Sequence, residues 1–179
     1  MCSSDLFACG NGYKWLFGDF GCAPFYARRE HLEWMNPDRF GHGQVARTLS
    51  DHRYELRATA GKFEYANPSH APVAALNASL GFIEEVGLER IAGHTQALAG
   101  ELRSELVRLG MELFTPANNP SPIVSFYHGL DSDELAAALT DEGVRFTFQE
   151  DGRLLRAAVA MFNNRDDIDR LLGVIARMV

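Results

Sequence analysis

Apolar residues recur at helical spacing at Val73, Leu76, Leu80 and Ile83, and the run closes at Gly87. One apolar stripe per 3.6-residue period predicts a helix with one buried face. Ser69 and Pro72 suit its first turn. A second stripe, Ile91, Leu98, Leu102, Leu106 and Leu109, predicts a helix over Leu88 to Leu109, stopped by Gly110. The pattern then changes. Met111 to Phe114 and Pro122 to Tyr127 read as strands on either side of the turn-rich Pro116-Ala117-Asn118-Asn119-Pro120. Asp131-Ser132-Asp133-Glu134 opens a helix through Leu139 that ends at Gly143. Val144 to Phe148 and Leu154 to Val159 read as strands around the Glu150-Asp151-Gly152 turn. Asn163 or Asn164 caps a last helix with Ile168, Leu171, Leu172 and Ile175 on one face. The order ααββαββα predicts a compact α+β domain, its helices packed on one face of a small sheet.

The first third of the chain has a different texture. Asp5 to Cys9 is a short apolar run ending at Gly10-Asn11-Gly12, and Cys22 to Ala27 is another ending at Arg28-Arg29. Both read as buried strands, with Pro24 arguing against a central position in a sheet. Two strands this apolar do not stand alone in water and call for a larger sheet. Residues 36–62 carry Asn36-Pro37, three glycines and mixed charges without clear period. They read as an irregular connector, long enough to be functional.

The composition is that of a globular protein, 46% hydrophobic and 23% charged over 179 residues. A net charge of −7 argues against nucleic acid as the main partner. No apolar run reaches the ~18 residues of a membrane helix, and no secretory signal is evident, so a cytoplasmic location is expected. Cys2, Cys9 and Cys22 are the three cysteines. Their odd number and spacing favour neither a disulfide framework nor a zinc site. Cys9 and Cys22 read as small buried residues on strands. The six histidines are scattered, and no metal is expected.

Only two lysines occur, Lys14 and Lys62, against 15 arginines. Lys14 lies between Tyr13 and Trp15 in a glycine-flanked loop just past a predicted strand, where ligand sites in α/β sheets lie. Aromatic neighbours that hold an amine out of water favour its neutral, nucleophilic form. Such an amine forms a Schiff base with a carbonyl substrate or with pyridoxal phosphate. Arginine cannot.

Three stretches resemble one family. They are Gly12-Tyr13-Lys14-Trp15-Leu16 with Gly18-Asp19-Phe20-Gly21-Cys22-Ala23-Pro24-Phe25-Tyr26-Ala27-Arg28; Lys62-Phe63-Glu64-Tyr65-Ala66-Asn67-Pro68; and Leu155-Arg156-Ala157-Ala158-Val159-Ala160-Met161-Phe162-Asn163-Asn164 with Asp167-Ile168-Asp169. In this order they resemble class V aminotransferases, the fold-type I pyridoxal-phosphate enzymes related to cysteine desulfurases, kynureninases and isopenicillin N epimerases. The resemblance implies an α/β protein: the C-terminal α+β small domain of such an enzyme, preceded by the last two strands of the large cofactor-binding domain. The implied parts are 1–35 from the large domain, 36–62 a connector loop, and 63–179 the small domain. Lys14 matches the Schiff-base lysine that also moves the substrate's α-proton. Tyr13 stands where a hydroxyl or imidazole donates to the cofactor phosphate. Asn67 matches the position that reaches the phosphate of the neighbouring subunit's cofactor. Arg156 matches the arginine that holds the substrate α-carboxylate, a task suited to the guanidinium fork. The implied cofactor is pyridoxal 5'-phosphate, the substrate an amino acid, and the assembly a homodimer or a pair with a complementing N-terminal half.

Departures narrow this picture. Asp19 replaces the family's proline after Gly18, Lys62 replaces an arginine, Ala66 a glycine, and the serine usual after the carboxylate arginine is absent. Cysteine desulfurases need a cysteine shortly before that arginine, and Phe146 to Gly152 contains none. A persulfide-forming desulfurase is therefore disfavoured, while transaminase, epimerase and lyase chemistry stay open. The family's N-terminal half carries the aspartate paired with the pyridine nitrogen and a phosphate-binding turn, and the resemblance does not include it. The expectation is that 179 residues alone have little or no activity. The competing reading is a non-catalytic remnant or interaction module.

Overall fold

The computed structural model describes residues 7–179. Cys2 and the Asp5-Leu6 start of the first predicted strand lie outside them. The chain forms two compact units, one reaching to Glu85 and the other running from Val86 to Val179.

In the first unit, β1 (Phe7–Cys9) and β2 (Phe25–Ala27) pair antiparallel, with Phe7 opposite Ala27 and Cys9 opposite Phe25. They form a two-stranded ribbon, and its faces are exposed. The expectation of buried strands is corrected here: Cys9 lies on β1 but is exposed, and Cys22 is half-buried in the turn before β2. The reason is local. No third strand joins the ribbon among the described residues, so its apolar side chains face solvent.

The supposedly irregular stretch 36–62 contains a hairpin. A single 3₁₀ turn, His42–Gln44, leads into β3 (Val45–Thr48), which pairs antiparallel with β4 (Tyr54–Leu56) through a bulge between Val45 and Arg47. Its reversal holds Asp51 and His52 at φ 61° and 59°. This left-handed pair is what a tight hairpin turn requires. A further 3₁₀ turn, Ala60–Phe63, leads toward α1 (His70–Val86). The α1 stripe is half used: Leu76 and Ile83 are buried, whereas Val73 and Leu80 remain exposed.

The second unit follows the predicted element order. It comprises α2 (Leu88–Arg108), β5 (Glu112–Leu113), β6 (Ile123–Tyr127), α3 (Ser132–Asp141), β7 (Thr147–Gln149), β8 (Leu154–Ala158) and α4 (Arg165–Met178). The four strands form one antiparallel sheet in the order β5-β6-β8-β7. Cross-strand pairing sets Leu113, Phe126, Leu155 and Phe148 in one row. That row packs with Leu98, Leu102 and Leu106 of α2, Leu135 and Leu139 of α3, and Leu171 and Ile175 of α4. Phe126, Leu102, Leu135 and Leu155 have no exposed surface. Period-two alternation sends Ser125, Arg156 and Thr147 to the opposite face. Asp131 caps α3 by accepting from the Asp133 and Glu134 N–H groups, and Asn164 caps α4 by accepting from the Asp167 N–H.

β7 is shorter than predicted. Its ladder with β8 ends at the Thr147–Arg156 pair, and Val144 to Phe146 run apart from β8. Ala157 and Ala158 therefore keep an open edge on that side.

Candidate functional site

Lys14 sits at the apex of a closed turn. The Gly18 N–H donates to the Gly12 carbonyl at 2.8 Å, and the Phe17 N–H donates to the Lys14 carbonyl at 3.1 Å. Below it, Gly12 N–H donates to the Cys22 carbonyl at 3.2 Å, tying the turn to the segment before β2. Two glycines are required by space. A Cβ at Gly12 would overlap the Cys22 carbonyl, and one at Gly18 would meet the Gly12 carbonyl at 3.0 Å and Leu76 Cδ1 at 3.1 Å. The turn thus rests directly on α1, and Phe17 adopts φ 55° to close it.

The Lys14 ammonium lies 5.7 Å from the centroid of the Tyr13 ring and is exposed. Tyr13 and Trp15 are each about two-fifths exposed. The apolar enclosure expected from these neighbours is not built by the described residues. Tyr13 stacks instead on Phe20, with ring centroids 4.5 Å apart and planes 27° from parallel. Its face is spent on a neighbour across the turn. Asn67 is exposed, in the segment between the Ala60–Phe63 turn and α1.

The other lysine has the opposite environment. Lys62 is buried, and its ammonium donates to the Leu32 carbonyl. Its own carbonyl accepts from Gln44 Nε2 at 2.6 Å. Gln44 is fully buried, donates also to the Arg39 carbonyl at 2.9 Å, and accepts from the Gly41 N–H at 2.9 Å. Lys62 is a structural lysine, which leaves Lys14 as the one lysine side chain presented to solvent. Sequence reasoning missed this knot, because a glutamine in a glycine-rich stretch carries no periodic signal.

Arg156 belongs to the second unit. It is half-buried and stands opposite Thr147 and Ser125 on the sheet face away from the helices. It lines a cleft of about 480 Å³ that passes the open edge of β8 to the start of α4. Arg145, Arg170 and Asp167 line the same cleft, over apolar side chains that include Leu102 and Ile168. Asp167 Oδ2 accepts from Asn163 Nδ2 at 3.1 Å and from the Asn164 N–H at 3.0 Å. These bonds, the Asn163 amide first, hold its carboxyl below the usual carboxylate range, with the Arg170 charge adding to them. Arg145 was passed over in the sequence, although an arginine within the apolar Val144 to Phe148 run was a usable signal.

Within the first unit the structure brings Tyr13 and Lys14 to one turn and leaves Asn67 on another segment. Arg156 lies in the second unit.

The class V aminotransferase model matches residues 2–171, and the chain belongs to that family. A probable cysteine desulfurase of Xylella fastidiosa is 30% identical over 180 residues, covering 93% of this chain and 43% of the relative. The apo cysteine desulfurase of Thermococcus onnurineus superposes with a TM-score of 0.85 at 24% identity, over 97% of this chain and 47% of that one. The cysteine desulfurase CsdA of Escherichia coli does so with a TM-score of 0.82 at 23% identity, over 96% and 45%. The chain therefore spans a little under half the length of these relatives. The likeness establishes a fold-type I architecture for the part that is present. Members of the family depend on pyridoxal phosphate.

Proposed function

We propose that this chain supplies the lysine-bearing turn and the small domain of a pyridoxal-phosphate-dependent enzyme acting on an amino acid. The observation that carries the reading is the contrast between the two lysines: Lys62 is buried and committed, whereas Lys14 is presented at a glycine-built apex. The residues present fit an aldehyde cofactor that bears a phosphate. Lys14 offers an accessible primary amine, Tyr13 beside it keeps part of its surface exposed, and Asn67 is exposed for a phosphate of a neighbouring subunit. When bound, the cofactor supplies an electron sink for charge developing at the substrate α-carbon. Lys14 Nζ holds it and carries the α-proton. Arg156 orients the substrate through its α-carboxylate.

The relatives named above are cysteine desulfurases, a chemistry for which the family resemblance calls for a cysteine shortly before Arg156. The hairpin from Thr147 to Ala158 contains no cysteine, nor does any position after Cys22. The reading is therefore of transaminase, lyase or epimerase chemistry without a persulfide on this chain. The described residues leave the walls of the Lys14 site open, and in this reading an N-terminal half of the fold or a second copy of the chain completes them. The working compartment proposed is the cytoplasm. No helix among the described residues is long and apolar enough to cross a membrane.

The test is borohydride reduction of the full chain with stoichiometric pyridoxal phosphate, followed by peptide mapping. The adduct is expected on Lys14. An adduct on Lys62, or none, overturns the reading.

One observation favours a second reading. The first unit exposes Phe20, Phe25, Trp34 and Phe40, each more than half accessible. An interaction module would use such a surface for association. It would elute as an assembly in size-exclusion chromatography and form no adduct at Lys14.

A further inference from the structure

The cleft at the open edge of β8 has an unusual charge. Three guanidinium groups, Arg145, Arg156 and Arg170, line it against a single carboxylate, Asp167, in a chain of net charge −7. Asp167 is already occupied by the Asn163 amide and the Asn164 N–H, and Arg170 is the arginine whose charge it feels. The guanidinium groups of Arg145 and Arg156 make no hydrogen bond or ion pair with any described residue. The half-buried Arg156 guanidinium is therefore open to an anion entering the cleft. Register explains why both reach one space. Arg156 faces Thr147 at the last rung of the ladder, and Arg145 stands two residues before Thr147, where the chain has parted from β8. The lining also includes the apolar Phe146, Ala157 and Ile168, with the polar Thr147 and Asn163. About 480 Å³ suits a small metabolite.

The geometry points to a substrate with two acidic groups on a short apolar stem, a dicarboxylic amino acid. Arg156 takes the α-carboxylate and Arg145 the side-chain acid. The inference rests on the reading of Arg156 given above and extends it to substrate class. Arg145 is then the residue that separates acidic from neutral amino acids.

The experiment titrates the full chain with L-glutamate, L-alanine and inorganic sulfate by calorimetry or NMR shift. L-Glutamate is expected to bind about tenfold more tightly than L-alanine, or ~1.4 kcal/mol. Arg145→Gln brings L-glutamate to the L-alanine level and leaves L-alanine unchanged, whereas Arg156→Gln weakens both. Equal binding of the two amino acids, indifference to Arg145→Gln, or sulfate binding as tightly as L-glutamate overturns the inference. The two proposals fail separately. Equal amino-acid binding with a Lys14 adduct sinks the substrate class alone, and a glutamate preference without that adduct supports the substrate class while sinking the cofactor reading.

Discussion

Gln44 Nε2 donates to the Lys62 carbonyl at 2.6 Å, across 18 residues of chain. This bond joins the start of the β3–β4 hairpin to the turn that follows it. The same amide donates to Arg39 and accepts from Gly41, so one fully buried side chain satisfies three backbone groups. Removing it strands them away from water. Gln44→Ala is expected to destabilise the first unit by about 1–3 kcal/mol. Amide hydrogen exchange reads this directly: Arg57 and Glu64, whose N–H groups bond within the knot and the adjoining turn, should lose protection while α2 and α4 keep theirs.

Gly12 is expected to tolerate no side chain. The Cβ of Gly12→Ala overlaps a backbone carbonyl, at Cys22, and that group cannot rotate away as a flexible side chain would. Overpacking of this kind disfavours the native arrangement by about 1–3 kcal/mol. Because the turn positions Lys14, the variant should form the Lys14 adduct only at higher cofactor concentration. Peptide mapping across a cofactor titration measures the shift.

The second unit depends on the Phe126 row. Phe126 is wholly enclosed between β5, β8 and the helices. Phe126→Ala should lower stability by about 3–5 kcal/mol, seen as a reduced denaturant midpoint for the signals of α2 and α4.

Asp167 confers a pH dependence with a defined sign. Its folded-state value lies below the ordinary 3.8, through the Asn163 amide and the Asn164 N–H, with Arg170 assisting and partial burial opposing. A carboxyl depressed by folding stabilises fully above its unfolded value and ceases to do so as pH falls through the lower folded value. Thermal midpoints should therefore decline on acidification below about pH 5, and Asp167→Asn should decline less over the same range. A parallel decline in both proteins contradicts this role.

These particulars show where the sequence was legible. α2 and α4 follow from apolar stripes because a helix over a sheet must bury one face, and Leu102, Leu106, Leu171 and Ile175 do so. The element order of the second unit follows for the same reason. The β3–β4 hairpin was not legible. Its strands are short and largely exposed, and its left-handed turn is built on Asp51 and His52 rather than glycine. Lys14 stood out because lysine is scarce and its flanks are aromatic, yet those flanks predicted an enclosure that stacking of Tyr13 on Phe20 does not provide. Arg145 was hidden by the strand pattern around it, since only the early parting of β7 from β8 gives it a cleft.

The central claim is that Lys14 is a cofactor-binding lysine rather than an exposed amine like any other. The most direct measurement compares saturation of the Lys14 adduct by pyridoxal phosphate and by pyridoxal, fixed with borohydride in the full chain. The account predicts saturable labelling confined to Lys14, tighter for the phosphate-bearing aldehyde. Labelling that rises linearly with concentration and does not distinguish the two aldehydes would contradict it.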